Sequence, residues 1–196
     1  MKALSLWQPH ATLMARGLKR VETRSWSLEY RGPVVIHAAK RNEAHLLEHP
    51  EFQFLKRLQL PLGAALAVGE LTKISRVEAI RDSLTPKEIA YGNYDDGRFG
   101  WVFGTITPFP VPIPVRGMQG LFDLDLPPVV LEMMRQGVMD QQTGVETLMV
   151  MARFNLSGFR VYASQHHSDE ARTLFQQVLA RLGENPELLP KQVKLF

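Results

Sequence analysis

The segment spanning residues 17–26 carries the densest group of side chains that could bind a ligand. Strand alternation places Glu22, Arg24 and Trp26 together on one face of a predicted strand. A carboxylate accepts hydrogen bonds from an amino edge, a guanidinium pairs with phosphate, and an indole stacks on a ring. Lys19 lies at the turn that enters this strand. The set indicates recognition of a nucleobase, and the alternative is a surface ion-pair ladder in which Trp26 fills the core.

Two further segments carry candidate binding residues. Trp7, Gln8 and Pro9 lie at the start of a predicted helix, whose free N–H groups could bind an anion; simple capping with a buried indole is the alternative. His37 lies within an apolar strand run, where a histidine is more often a hydrogen-bonded core residue. Lys40 closes the same strand and could reach a phosphate, unless it is a solvated strand end.

Glu70 is a candidate general base. It has the same strand parity as Leu66 and Val68, so we expect its carboxylate on their apolar side, either desolvated or paired with a cation. The alternative is a glutamate that reaches solvent at the strand end. His45 and His49 have the spacing of metal ligands, but no third ligand is evident. The sequence therefore predicts neither a metal site nor a cofactor.

The composition excludes several classes of protein. The 196 residues are 45% hydrophobic and 22% charged and include no cysteine. This excludes disorder, a disulfide framework, a thiolate nucleophile and Cys-ligated zinc. No apolar run approaches the ~20 residues that cross a bilayer, so we expect a soluble, cytoplasmic protein with no membrane partner. Residues 1–41 hold eight basic and two acidic side chains, a net charge of +6 that favours a polyanionic ligand.

Hydropathy patterns predict an α+β protein, β-rich in its first two-thirds and mostly helical in its last third. Helices are expected after Pro9, Asn42, Pro50 and Thr85, the last with capping-box spacing to Glu88. Strands are expected at these positions: 4–6, 21–26, 33–39, 64–72 and 99–103. Alternating prolines at positions 108, 110, 112 and 114 remove donors from one edge of an extended chain, which predicts an edge strand.

Several short fragments occur together in a particular order: 5–9, 17–26, 36–40, 69–70, 99–102, 112–117 and 120–122. With their spacing they resemble the ASCH domain of the PUA-like superfamily. The resemblance covers roughly residues 2–126, and we expect residues 1–126 to form one domain. Residues 127–196 match no family; we expect them to form a helical extension packed on that domain, with helices at 128–135, 145–154 and 168–182 and a strand at 159–163.

The resemblance implies a small β-barrel with flanking helices and a cleft lined by residues 17–24. Related PUA-like domains bind RNA or modified bases, and some ASCH proteins hydrolyse N4-acetylcytidine or act as ribonucleases. In the amidohydrolase branch the catalytic residues are a lysine, a threonine three residues later and a glutamate well downstream. Lys19 matches the lysine, Glu22 stands in the place of the threonine, and no downstream residue matches the glutamate by motif.

Two functions therefore follow from the sequence. The first is binding of RNA or a modified nucleobase through a basic cleft, with a salt-sensitive affinity because phosphate contacts release counterions. The alternative is a hydrolase acting on acylated cytidine nucleosides or on RNA, with Lys19 as base or nucleophile and Glu22 moving protons or orienting water. A third interpretation is that the Met-rich helices of residues 127–182 bind a protein partner or form a dimer.

Overall fold

The computed structural model describes residues 1–58, 60–126, 149 and 169–183. The chain divides into two compact units, Met1–Leu124 and Asp125–Phe196. In the first unit a mixed sheet is combined with short helices, which agrees with the predicted α+β class. In the described part of the chain, no helix is long and apolar enough to cross a membrane.

Six strands of the described residues form one sheet, in the order β2–β5–β4–β3–β1–β6. The strands are β1 (Lys2–Gln8), β2 (Val21–Arg24), β3 (Gly32–Asn42), β4 (Ala64–Arg76), β5 (Phe99–Pro114) and β6 (Leu121–Asp123). Strand β1 runs parallel to β3, and the other neighbouring pairs are antiparallel. Strands β2 and β6 are the two edges of this sheet and do not pair with each other. The sheet is not closed, so the expected barrel is not confirmed.

Helix α1 (His10–Ala15) covers the sheet and leads the chain to Lys19. Residues 11–15 are all buried, and Met14 packs in the same core as Leu4 of β1 and Ile36 of β3. Gly17 ends the helix with a φ of +67°, a conformation that glycine adopts without steric cost. The turn it makes brings the next residues directly to the start of β2.

Within the described residues, the proline-rich half of β5 pairs with a strand on one side only, which agrees with the predicted edge. Strand β2 pairs with β5 only between Phe99 and Val102. Beyond that point β5 pairs with β4, with Pro108 opposite Ala67. Within the described residues nothing pairs with the other edge of this half. The prolines, which have no N–H to donate, therefore lie in the half of β5 that has a described strand on one side only.

The expected helices after Asn42 and Pro50 are 3₁₀ helices, spanning Ala44–Glu48 and Pro50–Arg57. A residue before proline is disfavoured in the α region, and His49 is extended with a ψ of 140°, which separates the two. We refer to residues 43–58 as the 3₁₀ segment. Helix α2 (Pro86–Ala90) begins as predicted, since the Thr85 hydroxyl accepts the Glu88 backbone N–H at 3.1 Å.

Helix α3 (Asp169–Arg181) belongs to the second unit and buries Phe175, Val178 and Leu179. Its predicted end is confirmed, because Gly183 follows it with a φ of +71°. The helices expected at 128–135 and 145–154, apart from Met149, and the strand expected at 159–163 lie outside the described residues. The proposed Met-rich partner or dimer surface lies largely outside them as well.

Candidate functional site

A cavity of about 550 Å³ lies in the first unit, where the end of β1, helix α1, strand β2, the 3₁₀ segment and the turn after α2 meet. We call it the Lys19 cavity. Five of the predicted site residues line it: Trp7, Lys19, Glu22, Arg24 and Trp26. Its other polar lining residues are Ser5, His10, Thr23, Ser25, Glu43, Asn93 and Arg98. Its remaining lining residues are Leu6, Leu46, Phe52, Ala90, Tyr91 and Gly92.

Lys19 is a buried amine with a fixed carboxylate beside it. Its side chain is 1% exposed, and its Nζ donates to Tyr94 Oη at 3.4 Å and lies 3.7 Å from Glu88 Oε1. The Glu88 carboxylate accepts the backbone N–H groups of Arg20 at 2.9 Å and Val21 at 3.2 Å. The Tyr94 hydroxyl donates to Glu88 Oε1 at 2.8 Å. These contacts fix the carboxylate at the start of β2, next to the ammonium group.

Burial makes the amine and the imidazole of this site less basic. It lowers the pKa of Lys19 from its ordinary value, while the carboxylates of Glu22 and Glu88 act in the opposite direction. Burial, aided by the charge of Lys19, lowers the pKa of His10 to about 4, although Glu43 lies 3.5 Å from its Nε2. His10 is therefore neutral at pH 7. The Lys19 cavity thus holds an amine that loses its proton more readily than usual and an imidazole that is neutral at pH 7.

The backbone at Gly92 packs closely against the Lys19 amine, and a side chain at position 92 would prevent this contact. A Cβ at this position would lie 2.8 Å from Lys19 Nζ and 2.9 Å from the Tyr94 ring. Burial and the Glu88 carboxylate also raise the pKa of Tyr94, so its hydroxyl keeps its proton. Gly92 and Tyr94 together define where the amine sits.

The arginines of the cavity are bonded to groups of the protein itself. Arg24 donates to the Ser5 carbonyl at 2.9 Å, and its Nε lies 3.1 Å from Glu22 Oε1. Arg98 donates to the Thr23 carbonyl at 3.0 Å. With Lys19 there are three cations, and the three carboxylates of Glu22, Glu43 and Glu88 balance them. The cleft expected to be basic therefore holds equal numbers of cations and carboxylates among these residues, and folding pairs two of the cations, Lys19 with Glu88 and Arg24 with Glu22.

Aromatic rings supply apolar walls. Trp26 packs edge-on against the buried Trp101, with ring centroids 4.7 Å apart, and still lines the cavity. Trp7 is 40% exposed, and the Arg41 guanidinium lies 4.1 Å from its ring centroid. Phe52 of the 3₁₀ segment lines the cavity as well. Rings of this kind stack on flat heteroaromatic ligands.

The ASCH domain family model matches residues 4–109. This chain belongs to the ASCH domain family. Among solved structures it is similar to ASCH from Zymomonas mobilis, with 16% identity over 63% of this chain and 87% of that one and a TM-score of 0.42. A tyrosine-to-phenylalanine variant of that protein gives 16% identity, 63% and 89% coverage and a TM-score of 0.41. Its serine-to-alanine variant gives 16% identity, 63% and 87% coverage and a TM-score of 0.41. No curated protein matches the sequence.

Two predicted site residues of this ASCH domain are bonded within the protein instead of lining the cavity. The Gln8 carboxamide donates to the Pro61 carbonyl at 2.8 Å and accepts the Thr12 N–H at 3.1 Å. His37 is buried, with Nδ1 3.0 Å from Ser5 Oγ and Nε2 3.2 Å from the Val115 carbonyl oxygen. Burial lowers the pKa of His37, so it remains neutral at pH 7.

Three other predicted residues also lie outside the cavity lining. Pro9 precedes α1 as its N-cap residue and is not its first helical residue. Lys40 is exposed near the end of β3. Glu70 is exposed as well, contrary to the expectation that it points to the apolar side of β4. The pairing of β4 with β5 shifts register between Gly69 and Leu71, and this irregularity interrupts the alternation from which we argued.

The sequence reasoning missed Glu88 and Tyr94 as members of the site. The spacing from Thr85 to Glu88 indicated a capping box, in which the glutamate side chain returns to the N-cap N–H. Only half of that pattern is present, because the Glu88 carboxylate binds the N–H groups at the start of β2. No local signal distinguishes the two destinations, since 69 positions separate Lys19 from Glu88.

Proposed function

We propose that this ASCH-domain protein binds one modified nucleobase in the Lys19 cavity, presented as a nucleoside or as one nucleotide of RNA. The observation that carries the proposal is a cavity of about 550 Å³ that combines aromatic walls with a buried amine. Sites for small molecules typically measure about 300–1,000 Å³ and combine apolar walls with a few placed polar groups. Trp7, Trp26 and Phe52 offer stacking surfaces, while Lys19 donates and Glu22 accepts hydrogen bonds.

The charges favour an uncharged ring inside the cavity. Phosphate would have to compete with Glu22 for Arg24 and with the Thr23 carbonyl for Arg98. Outside the lining, Lys40 and Arg41 are exposed cations, and Arg41 stacks on Trp7. We therefore expect a nucleoside to bind with little salt dependence. An RNA strand that also contacts these cations would add a salt-dependent part to the affinity.

Calorimetric titration tests the proposal. Cytidine, N4-acetylcytidine and 5-methylcytidine are titrated at low and high salt, followed by a short RNA carrying the tightest-binding base. Glu22→Gln is expected to weaken nucleoside binding roughly tenfold or more, since a hydrogen bond to a charged group contributes about 1.5–3 kcal/mol. The matched variant Glu29→Gln, at an exposed position outside the cavity, should bind like the unmodified protein. Absence of saturable binding of any nucleoside or of the RNA by the folded protein would refute the proposal.

A second function, hydrolysis of an acylated cytidine, is favoured by one observation: a buried amine in the cavity beside a fixed carboxylate. Glu88 supplies the downstream carboxylate that motif matching did not identify. The hydroxyl-bearing residues Thr23 and Ser25 also line the cavity. The test is incubation with N4-acetylcytidine, read by chromatography, for the unmodified protein and Lys19→Ala. Cytidine released only by the unmodified protein supports hydrolysis, whereas release by neither leaves binding as the function.

A further inference from the structure

We infer that Lys19 captures its ligand covalently and reversibly, by forming an imine between Nζ and a one-ring aromatic aldehyde such as a formylated pyrimidine. This inference rests on the proposed function, because it assigns the chemical class of the modification on the bound base. A lysine amine and a formyl group condense to an imine, so a buried lysine can recognise this substituent by forming a bond with it.

The first support is the location of the amine. Lys19 lines the cavity with a side chain 1% exposed, so a reactant must enter the cavity to reach it. Every other lysine among the described residues is at least partly exposed, Lys40 and Lys56 among them. Aldehydes in solution can meet those surface lysines directly. Selective reaction at Lys19 therefore requires prior binding of a ring that fits between the aromatic walls.

The second support is the fixed carboxylate. An ammonium group and an aldehyde condense to a protonated imine and water, so the nitrogen carries one positive charge before and after the reaction. Glu88, held by the N–H groups of Arg20 and Val21, can balance that charge in both states. A buried charge without a partner is costly, and here the partner need not move during the reaction.

The third support is that Glu88 Oε1, 3.7 Å from Nζ, is placed to take a proton from the amine and to return it. The Lys19 ammonium gives one proton to Glu88, and the freed lone pair attacks the carbonyl carbon. A C–N bond forms, the C=O pair moves to oxygen, and that oxygen takes a proton from the nitrogen to give a carbinolamine. Glu88 then returns its proton to the hydroxyl, which leaves as water while the nitrogen lone pair forms the C=N bond.

The chemistry also favours an aldehyde over an acyl group as the target of direct attack by the amine. Attack on an acyl carbon would leave an amide on Lys19, which ends the cycle. An imine hydrolyses back to the amine and the aldehyde. The chain contains no cysteine, so no thiol of the protein competes for the carbonyl group.

Reductive trapping tests the inference. The protein is incubated with 5-formyluridine and cyanoborohydride, digested, and mapped by mass spectrometry. We expect the reduced adduct on Lys19 at least tenfold faster than on Lys40, with saturation and with protection by excess uridine. Gly92→Ala keeps the lysine but places a Cβ 2.8 Å from Nζ, so it should slow trapping at Lys19 and leave Lys40 unchanged. Labelling that follows exposure, with Lys40 and Lys56 modified first, would overturn the inference.

A parallel titration separates this inference from the proposed function. If uridine and 5-formyluridine bind the protein and Lys19 is not trapped, covalent capture is wrong and nucleobase binding stands. If neither nucleoside binds and trapping is absent, both this inference and binding of these bases are wrong. Lys19→Arg serves as the site control. Once its folding is verified by circular dichroism, it should lose the protectable adduct and retain the surface labelling.

Discussion

Replacing Glu88 by glutamine isolates the electrostatic role of the carboxylate at the start of β2. The substitution keeps the size of the side chain and one acceptor oxygen. It removes the negative charge that faces Lys19 and turns one acceptor for the Arg20 and Val21 N–H groups into a donor. Because both Lys19 and Glu88 are buried, water cannot replace what is lost. The result should be a less stable first unit.

The magnitude follows from the geometry. At the observed 3.7 Å and an effective dielectric constant of about 20, the attraction between the two charges is about 4.5 kcal/mol. Removing one partner of a buried pair typically costs about 3–5 kcal/mol. The protein can limit the loss by releasing the Lys19 proton, which for an ordinary lysine costs about 4.6 kcal/mol at pH 7. We therefore expect a loss of about 3–4.5 kcal/mol at pH 7.

The pH dependence has a definite sign. Burial lowers the pKa of Lys19 in the folded state, so the unfolded state binds more protons between the two pKa values. Stability attributable to Lys19 therefore rises with pH through that window. Glu88→Gln removes a carboxylate that raises the pKa of Lys19. In the variant, the pH range over which stability rises therefore begins at a lower pH. The difference between the two proteins should narrow as the pH increases from neutral toward that of an unfolded lysine.

Urea unfolding followed by tryptophan fluorescence measures the effect, because all three tryptophans lie in the first unit. The matched control is Glu48→Gln, which breaks the exposed ion pair with Lys56, closer at 2.7 Å. Exposed pairs contribute about 0–1 kcal/mol. If Glu88→Gln costs no more than Glu48→Gln, or if its cost does not change with pH, the argument for a buried charge pair fails.

Three further predictions concern other residues of the site. The His10 ring should titrate near pH 4 by NMR. Because its pKa is lower in the folded than in the unfolded state, the contribution of His10 to the free energy of unfolding should fall as the pH drops from about 6.5 to 4. The variant His10→Gln should lose about 3 kcal/mol less stability than the unmodified protein over this pH range. Trp7→Ala should change the free energy of unfolding by no more than about 1 kcal/mol relative to the unmodified protein. It should weaken nucleoside binding at least fivefold by calorimetry, since stacking contributes about 1–3 kcal/mol per base. Unchanged affinity would show that Trp7 is not part of the site. His37→Ala should lower the free energy of unfolding by about 2–4 kcal/mol, because His37 bonds Ser5 and Val115. Nucleoside affinity should be unchanged, because His37 does not line the cavity. A loss of affinity in the folded variant would contradict this.

Strand β2 shows what local pattern can predict. Its alternation follows burial, since Val21 and Thr23 are buried and Glu22 and Arg24 are half-buried, as expected. Glu22 and Arg24 line the cavity, and Thr23 lines it as well. Gly17 ends helix α1 with a φ of +67°, and a glycine that follows residues on helical spacing is the local signal for such an end. The alternating prolines predicted an edge because a proline cannot donate a backbone hydrogen bond to a neighbouring strand, whatever the position of its own strand in the sheet. Each of these features depends on neighbours in sequence.

The parts that could not be predicted depend on neighbours in space. The excess of basic residues in 1–41 suggested a basic cleft, but counting charges does not reveal that Arg24 pairs with Glu22 and Lys19 with Glu88. Glu70 lies at an irregularity of the β4–β5 pairing, and such irregularities have no reliable local signal. The net charge of a sequence segment therefore does not predict the charge of the site to which that segment contributes.

The position of Glu88 links the stability of the sheet edge to the chemistry of the cavity. Backbone N–H groups that are buried need acceptors, and at the start of β2 the Glu88 carboxylate supplies them for Arg20 and Val21. The carboxylate that completes this strand end is the one that faces the Lys19 amine. Any substitution that moves Glu88 must therefore change both the pairing of the strand end and the charge balance of the amine. A reactive group placed this way is oriented by contacts that folding already requires, so its geometry is set before a ligand arrives.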